Sequence, residues 1–525
     1  MFSVFLVLVL CFIKINCFVC WDFSILTLDM GVSLVFDRLS FYFLSTVALV
    51  FSSVLMYSHG YMLASLSRRG FLMLMWGFGF SMILLVFGSS MFWVMVGWDG
   101  LGMFSYFLIL FNKNWLGIKS SFITFFTNRF GDMLILLSLW FFMSFYSSMY
   151  LSPVESFGFV FLLIMGVISK SAQFPFSFWL PEAMAAPTPV SSLVHSSTLV
   201  TAGVYVLCRF YPFFMDFTFM CLKVLSSLTI LVGAISAFAE MDLKKVVAYS
   251  TMSHISLMVF FISIGSIDSA MIHMMMHAFF KSMLFMAAGA VIYSSNSAQD
   301  FRISFVPDAS AKFIFVFPCF CMCGIPFFSG GCSKELLLAV MLNYVSDMFI
   351  MLLFLLAAGT SAAYSVRMCK LLCSPDSSNF FSYKVFPFLN ALWSSFLTNV
   401  FSSSFLTGAL LQNKMYEPLL LTGSLKLLML FSVIMMITLG ISIYFMTGGN
   451  GELFSTSFMS MPALLYIVKF GSFLLMKHYK VTNNFMDVWV KKISDYSEWT
   501  VSAMLSTMIG PVKLLFFTAA FMAIL

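Results

Sequence analysis

Apolar runs of about 20 residues recur from one end of this chain to the other, and no other feature restricts its fold so tightly. They are read at 1–20, 34–57, 70–88, 90–111, 119–147, 157–178, 190–212, 217–239, 246–265, 269–293, 312–345 (interrupted), 347–370, 385–407, 419–446 and 510–525. Segment 455–478 is also apolar, but Pro462 and its lysines set it apart. Only 9% of the 525 residues are charged, against about 25% in a soluble domain. Such a chain cannot clothe itself in polar residues. A polytopic membrane protein built of helices is expected, because hydrocarbon leaves open backbone groups unsatisfied. The period-two alternation of a membrane barrel is absent.

The first run, Met1 to Cys20, carries Lys14 but no A-x-A-like cleavage site, so it is expected to remain as a span rather than to be removed. The 68 phenylalanines and 43 methionines fit a T-rich coding sequence, as in some mitochondrial genomes. Cysteines such as Cys319, Cys321 and Cys323 lie in apolar surroundings without His or carboxylate companions, and read as small apolar fillers. "GFGF" at 77–80 lacks the third glycine and the strand of a dinucleotide fingerprint.

Charge separates the connections. With the spans above, one side holds Arg68, Arg69, Lys113, Lys119, Lys244, Lys245, Arg302, Lys312, Arg367 and Lys370. The other holds Asp22, Asp29, Asp216, Asp268 and Glu417. This asymmetry predicts the basic side, and the amino terminus with it, in the matrix or cytoplasm. Residues 485–509 differ: Asp487, Lys491, Asp495 and Glu498 form a polar stripe, and an amphipathic interfacial helix is expected there.

Ionisable residues inside spans are functional candidates. Asp99 lies in "VGWDGLGMFSYF", Lys170 in "GVISKSAQFPFSFWLP" and His195 in "VSSLVHSSTLV". His273, His277 and Lys281 recur every four residues in "HMMMHAFFKSMLF" and share a helix face. That row is open to three readings: a metal site, a packed polar seam, or protonatable groups along a hydrated path. The missing carboxylate and the lysine one turn on disfavour the metal. In "TNRFGDML", Arg129 and Asp132 are spaced for a structural ion pair. Asp242, Lys244 and Lys245 read as a solvated helix start. Two charges coincide with helix breakers: Lys170 with Pro175 and Pro181, and Lys334 (followed by Glu335) with Gly324, Pro326, Gly330 and Gly331. Paired interrupted helices in two halves mark an ion site in transporters.

"GWDGLG", "NRFGD", "KSAQFPFSFWLPEAMAAPTPVSSLVHSSTLVTAGVYVL", "DLKKVVAYSTMSHISLM", "HAFFKSMLFMAAGA", "PFFSGGCSKELL" and "TSAAYSVRM" follow one another as in the subunit 5 family of NADH dehydrogenases. Members of that family are the distal antiporter-like subunits of respiratory complex I. The resemblance spans roughly residues 34–372, and "GPVKLLFFTAAF" resembles the family's last span. It implies an all-α antiporter-like fold with two inverted five-helix repeats, two broken helices, a lateral amphipathic helix and a terminal span. The corresponding division is N-terminal helices 1–69, repeats 70–212 and 213–372, further helices 373–480, the lateral helix 481–509 and the last span 510–525.

The same resemblance implies proton translocation coupled to electron transfer from NADH to ubiquinone. Asp99, Lys170, His195, His273, His277, Lys281, Lys334 and Glu335 would carry protons, Lys170 pairing with Asp99. Arg129, Asp132 and Asp242 match supporting charged positions. No cofactor or metal is expected in this chain, FMN, iron–sulfur clusters and ubiquinone sites belonging to other subunits. The implied partners are subunit 4, subunit 2 along the lateral helix, accessory subunits and lipid including cardiolipin, with no nucleic acid. The implied location is the mitochondrial inner membrane. Three departures stand out. Asp99 is usually glutamate, a side chain longer by about one C–C bond of 1.5 Å. His254 and Glu335 replace glutamine and aspartate. With about fifteen spans read against the family's sixteen, a short, nematode-like amino terminus is expected. The rivals are a standalone cation/proton antiporter, from which the carboxy-terminal end at Leu525 is expected to separate it, and a structural scaffold.

Overall fold

The computed structural model describes residues 19–23, 32–63, 67–88, 91–112, 114–146, 153–214, 216–295, 297–300, 309–325, 328–344, 348–373, 390, 392–400 and 403. The expectations for 419–446, 455–478, the lateral helix and the final span fall outside the described residues, as do Arg302 and Pro326. All described residues lie in the compact unit Met1–Phe445.

Helix dominates, with one exception. Strands β1 (Val19–Phe23) and β2 (Val32–Phe36) pair antiparallel, Trp21 opposite Leu34. The expected helical fold class stands, and only the spans expected to reach residues 19–20 and 34–36 are corrected by this short ribbon. "VCWDF" and "VSLVF" are rich in β-branched and aromatic residues, which favour a pleated ribbon. The first described helix, α1 (Arg38–Tyr61), starts only after Asp37. There the Asp37 N–H donates to Ser40 Oγ (2.8 Å), satisfying a donor at the helix entry.

Then follow α2 (Arg68–Phe87), α3 (Met91–Leu110), α4 (Trp115–Tyr146) and α5 (Pro153–Lys170). After an irregular stretch come α6 (Leu199–Phe210), α7 (Asp216–Ala239), α8 (Leu243–Ile264) and α9 (Ile267–Ser294). The last are α10 (Ala309–Cys323), α11 (Ser329–Tyr344) and α12 (Met348–Cys373). Among the described residues, eight helical segments are long and apolar enough to cross a membrane.

Two kinds of helix separate by environment. The span within α9 is wholly buried in protein, and that within α8 is 89% buried. Both are buried all round, as interior helices are, and the few polar side chains they carry are buried with them. α9 is the hub: it packs on α1, α8, α10, α11 and the segment before α6. By contrast α4 turns Phe126, Phe130, Met133, Leu137 and Trp140 outward at alternating spacings of four and three. That spacing gives one continuous apolar face on the exterior, the surface a membrane protein presents to hydrocarbon. The charged residues of the interior therefore sit buried among protein groups.

Candidate functional site: two helix breaks joined by a buried polar row

The first break follows α5. The apolar run expected to continue to residue 178 stops as a helix at Lys170, and Ala172 takes a left-handed backbone (φ 52°). A non-glycine residue there is strained and is held by its surroundings. The break exposes backbone groups that side chains then satisfy. Trp179 Nε1 donates to Ser169 O (2.9 Å), and Gln173 Nε2 donates to Ser171 O (3.1 Å). Thr229 Oγ1 donates to Gln173 Oε1 (2.5 Å), tying the break to α7. Pro175 precedes a single turn of 3₁₀ helix, Phe176–Phe178.

Lys170 is fully buried at the end of α5. Its ammonium donates to Trp98 O (2.5 Å) and lies 4.0 Å from the centre of the Trp98 ring, a cation–π contact in a buried site. The carboxylate it meets is Asp132, with Nζ 3.9 Å from Oδ1. The same Oδ1 accepts from Trp98 Nε1 (2.7 Å). Asp99 instead binds Arg129, with Nη1 3.1 Å from its Oδ2, and Arg129 also reaches Asp132 at 3.4 Å. The expected pairing of Asp99 with Lys170 is therefore corrected. Asp99 follows Trp98 in α3, and its side chain points about 100° away around the helix, toward the half-exposed flank. The four charges form a line, Asp99–Arg129–Asp132–Lys170, running from that flank into the interior.

His195 occupies a stretch of π-helix, Ser191–Thr198, ahead of α6. The sequence "SSLVHSST" widens this turn through hydroxyls bonded back to the chain. Ser197 Oγ donates to Leu193 O (3.0 Å), and Thr198 Oγ1 donates to the same carbonyl (2.8 Å). π-turns of this kind gather at functional sites. His195 is buried edge-on to Trp179, and neither ring nitrogen has a hydrogen-bond partner among the described residues.

On α9, His273, His277 and Lys281 share one buried face. His273 Nε2 lies 3.2 Å from His254 Nδ1 on α8, and His273 Nδ1 lies 3.0 Å from Ser333 Oγ on α11. The His277 ring centre stands 5.5 Å from that of His254, and neither of its ring nitrogens has a hydrogen-bond partner among the described residues. Lys281 Nζ donates to Ser250 Oγ (2.5 Å). Among the described residues no three His, Cys, Asp or Glu groups converge as a metal site.

The second break lies between α10 and α11. Gly324 (φ 82°) ends α10 in the left-handed conformation that glycine takes at little steric cost. Gly330 and Gly331 let the start of α11 pass against this end: an added Cβ would fall 1.8 Å from Cys321 O and 2.3 Å from Ile325 O, respectively. Lys334 folds back across the gap. Its ammonium donates to Met322 O and to Ser361 Oγ, both at 2.6 Å. Carbonyls at a helix carboxy terminus carry partial negative charge and hold a cation well. Glu335 is half-buried on the next position round the helix, so it does not meet Lys334 end to end.

Sequence reasoning overlooked three participants. His254 had a legible signal: it stands four residues after Ser250, on the face of α8 that meets the histidines of α9. Lys244, read as solvated, is buried and donates to Ala186 O (3.0 Å). Ser361 gave no signal that one sequence could show. Asp242 does sit at an interface-like start, paired with Lys245 at 2.9 Å.

Two helices interrupted at buried lysines, with buried histidines on the elements packed between them, are the arrangement of an antiporter-like membrane fold. The chain belongs to the NADH:quinone oxidoreductase/Mrp antiporter family of transmembrane proteins, whose model matches residues 88–360. It is similar to NADH-ubiquinone oxidoreductase chain 5 of Locusta migratoria, 38% identical over 377 residues, 69% of this chain and 66% of that one. The chain 5 of Anopheles gambiae is 36% identical over 405 residues, 74% of this chain and 68% of that one. For Lumbricus terrestris the figures are 36% over 450 residues, 82% and 76%. The match to the locust relative thus spans just under two thirds of that protein's length. A chain of the Mrp complex from Dietzia sp. shares the fold at a TM-score of 0.73 and 23% identity, over 97% of this chain and 60% of that one.

Proposed function

We propose that this chain is an antiporter-like membrane-arm subunit of a NADH:ubiquinone oxidoreductase, translocating protons across the mitochondrial inner membrane. Electron transfer from NADH to ubiquinone drives it from elsewhere in the complex. The observation that carries this reading is the unbroken succession of packed elements bearing buried ionisable groups. α5 (Lys170) packs on α6, the π-turn (His195) packs on α9, and α9 packs on α11 (Lys334). Asp99, Lys170, His195, His273, His277, Lys281 and Lys334 hold or pass the proton, Glu335 flanks the last of them, and Arg129, Asp132 and Asp242 support.

The geometry suggests how Lys170 switches. At 3.9 Å and an effective dielectric near 20, Asp132 favours the ammonium form by about 4 kcal/mol. Moving one proton against 100 mV costs about 2.3 kcal/mol. Arg129 bridges Asp99 and Asp132, so drawing it off Asp99 and closer to Asp132 would offset part of that attraction and favour proton release from Lys170.

The resemblance extends the proposal. It supports two inverted five-helix repeats, a lateral helix and terminal span, and the amino terminus on the matrix side. Neighbours would be subunits 4 and 2, accessory subunits and cardiolipin, with FMN, iron–sulfur clusters and ubiquinone held by other chains. A standalone antiporter shares the fold, and a scaffold would use the same charges only as glue. Co-purification with rotenone-sensitive NADH:quinone activity is expected, whereas isolation without it would favour the standalone antiporter. A Lys334→Ala complex that assembles but does not pump would exclude the scaffold.

A further inference from the structure

One hydrogen bond fixes the direction of those that precede it. Ser333 Oγ lies 3.2 Å from Gly330 O and 3.0 Å from His273 Nδ1. A carbonyl only accepts, and a hydroxyl has one proton. Ser333 therefore donates to Gly330 O and accepts from His273 Nδ1–H. A neutral His273 then has a bare Nε2, which lies 3.2 Å from His254 Nδ1. That contact requires the His254 proton on Nδ1, and it leaves His254 Nε2 bare, with no hydrogen-bond partner among the described residues. Lys281 lies on the same face of α9, and Lys334 follows Ser333 on α11.

We infer that His254 is a positioning residue. By donating from Nδ1 to His273 Nε2, it holds His273 in the tautomer that points a proton at Ser333 and the second helix break. The rings are set for this role. His254 and His273 are stacked, with centres 5.4 Å apart and planes at 26°. Phe280 closes edge-on over His254 (5.6 Å) and His277 (5.4 Å), which restrains both rings. Without the His254 donor, His273 is free to take the opposite tautomer, and its Nδ1 then has no proton for Ser333. The bond network would lose its direction with no loss of helix packing. This inference rests on the proton-translocation reading above and adds to it the residue that orients the row.

The test uses the assembled complex in proteoliposomes, measuring proton uptake per NADH oxidised, with uncoupled NADH oxidation reporting assembly. Glutamine keeps an N–H donor at this position and leucine does not. His254→Leu is expected to lose as much proton uptake as Lys281→Ala, and His254→Gln to keep the parent ratio. Ser333→Ala should match the leucine variant and Ser333→Thr the parent, which carries the test should His254→Leu fail to assemble. Parent-like uptake by His254→Leu or by Ser333→Ala overturns the inference. So does equal loss in the leucine and glutamine variants, which would make the ring itself the carrier. Parent-like uptake by Lys281→Ala instead overturns the proton-translocation reading.

Discussion

Lys170 and Asp132 face each other across 3.9 Å inside the protein, and Asp99 stands one ion pair further out, bound to Arg129. The acidic residue that governs Lys170 directly is thus on α4, and the α3 carboxylate acts on it through an arginine. That order changes which substitutions should matter most.

Asp132→Asn is expected to depress NADH-driven proton uptake more than Asp99→Asn. The first removes an interaction of about 4 kcal/mol from the ammonium, and the second acts at one remove and on a better solvated flank. Proton uptake per NADH in proteoliposomes checks this. A stronger defect in Asp99→Asn would place the controlling carboxylate back on α3.

The second lysine is held without a carboxylate among the contacts described above. Ser361→Ala removes the hydroxyl 2.6 Å from Lys334 Nζ, a charge-assisted bond of about 1.5–3 kcal/mol. Weaker proton uptake with normal assembly is the expected outcome. Unchanged uptake would show that Met322 O alone suffices to place the lysine.

How much of this was legible beforehand follows from range. Apolar runs and breakers are local, so the sites of both breaks, Lys170 with its prolines and Lys334 with its glycines, could be found from sequence. The four-residue spacing of His273, His277 and Lys281 likewise put them on one face. Partner choice was not legible, because it depends on which flank of α3 meets α4. A shift of one residue, from Trp98 to Asp99, turns a side chain by about 100°. Trp98 therefore faces Lys170, and Asp99 faces Arg129. Lys244 was misread for the same reason: its charge looked interfacial, while its partner, Ala186 O, lies in the irregular stretch after the first break. The β1–β2 ribbon was hidden where two apolar runs end and begin, and its β-branched and aromatic residues suit a strand and an apolar span alike.

Lys244→Met should act on stability. It leaves Ala186 O without its donor while keeping the apolar stem, at a cost of about 1–3 kcal/mol. A lower unfolding temperature of the complex with an unchanged proton-to-NADH ratio is expected. Loss of pumping at parent stability would instead assign this lysine to the proton row.

Gly330→Ala should be poorly tolerated, since its Cβ would fall 1.8 Å from Cys321 O, a backbone atom that cannot swing aside. Overpacking of this kind costs about 1–3 kcal/mol or more. Gly158→Ala is the control, with nothing within 4 Å of the added carbon. Assembly yield on native gels should fall for the first and hold for the second. Equal yields would mean that the two half-helices separate readily.

The central claim is that Lys170, at the first helix break, changes protonation during transport. Proton uptake per NADH by proteoliposomes carrying the Lys170→Ala complex, with uncoupled NADH oxidation confirming assembly, tests it most directly. A sharply lowered ratio with oxidation intact is predicted, and a ratio equal to that of the parent complex would contradict it.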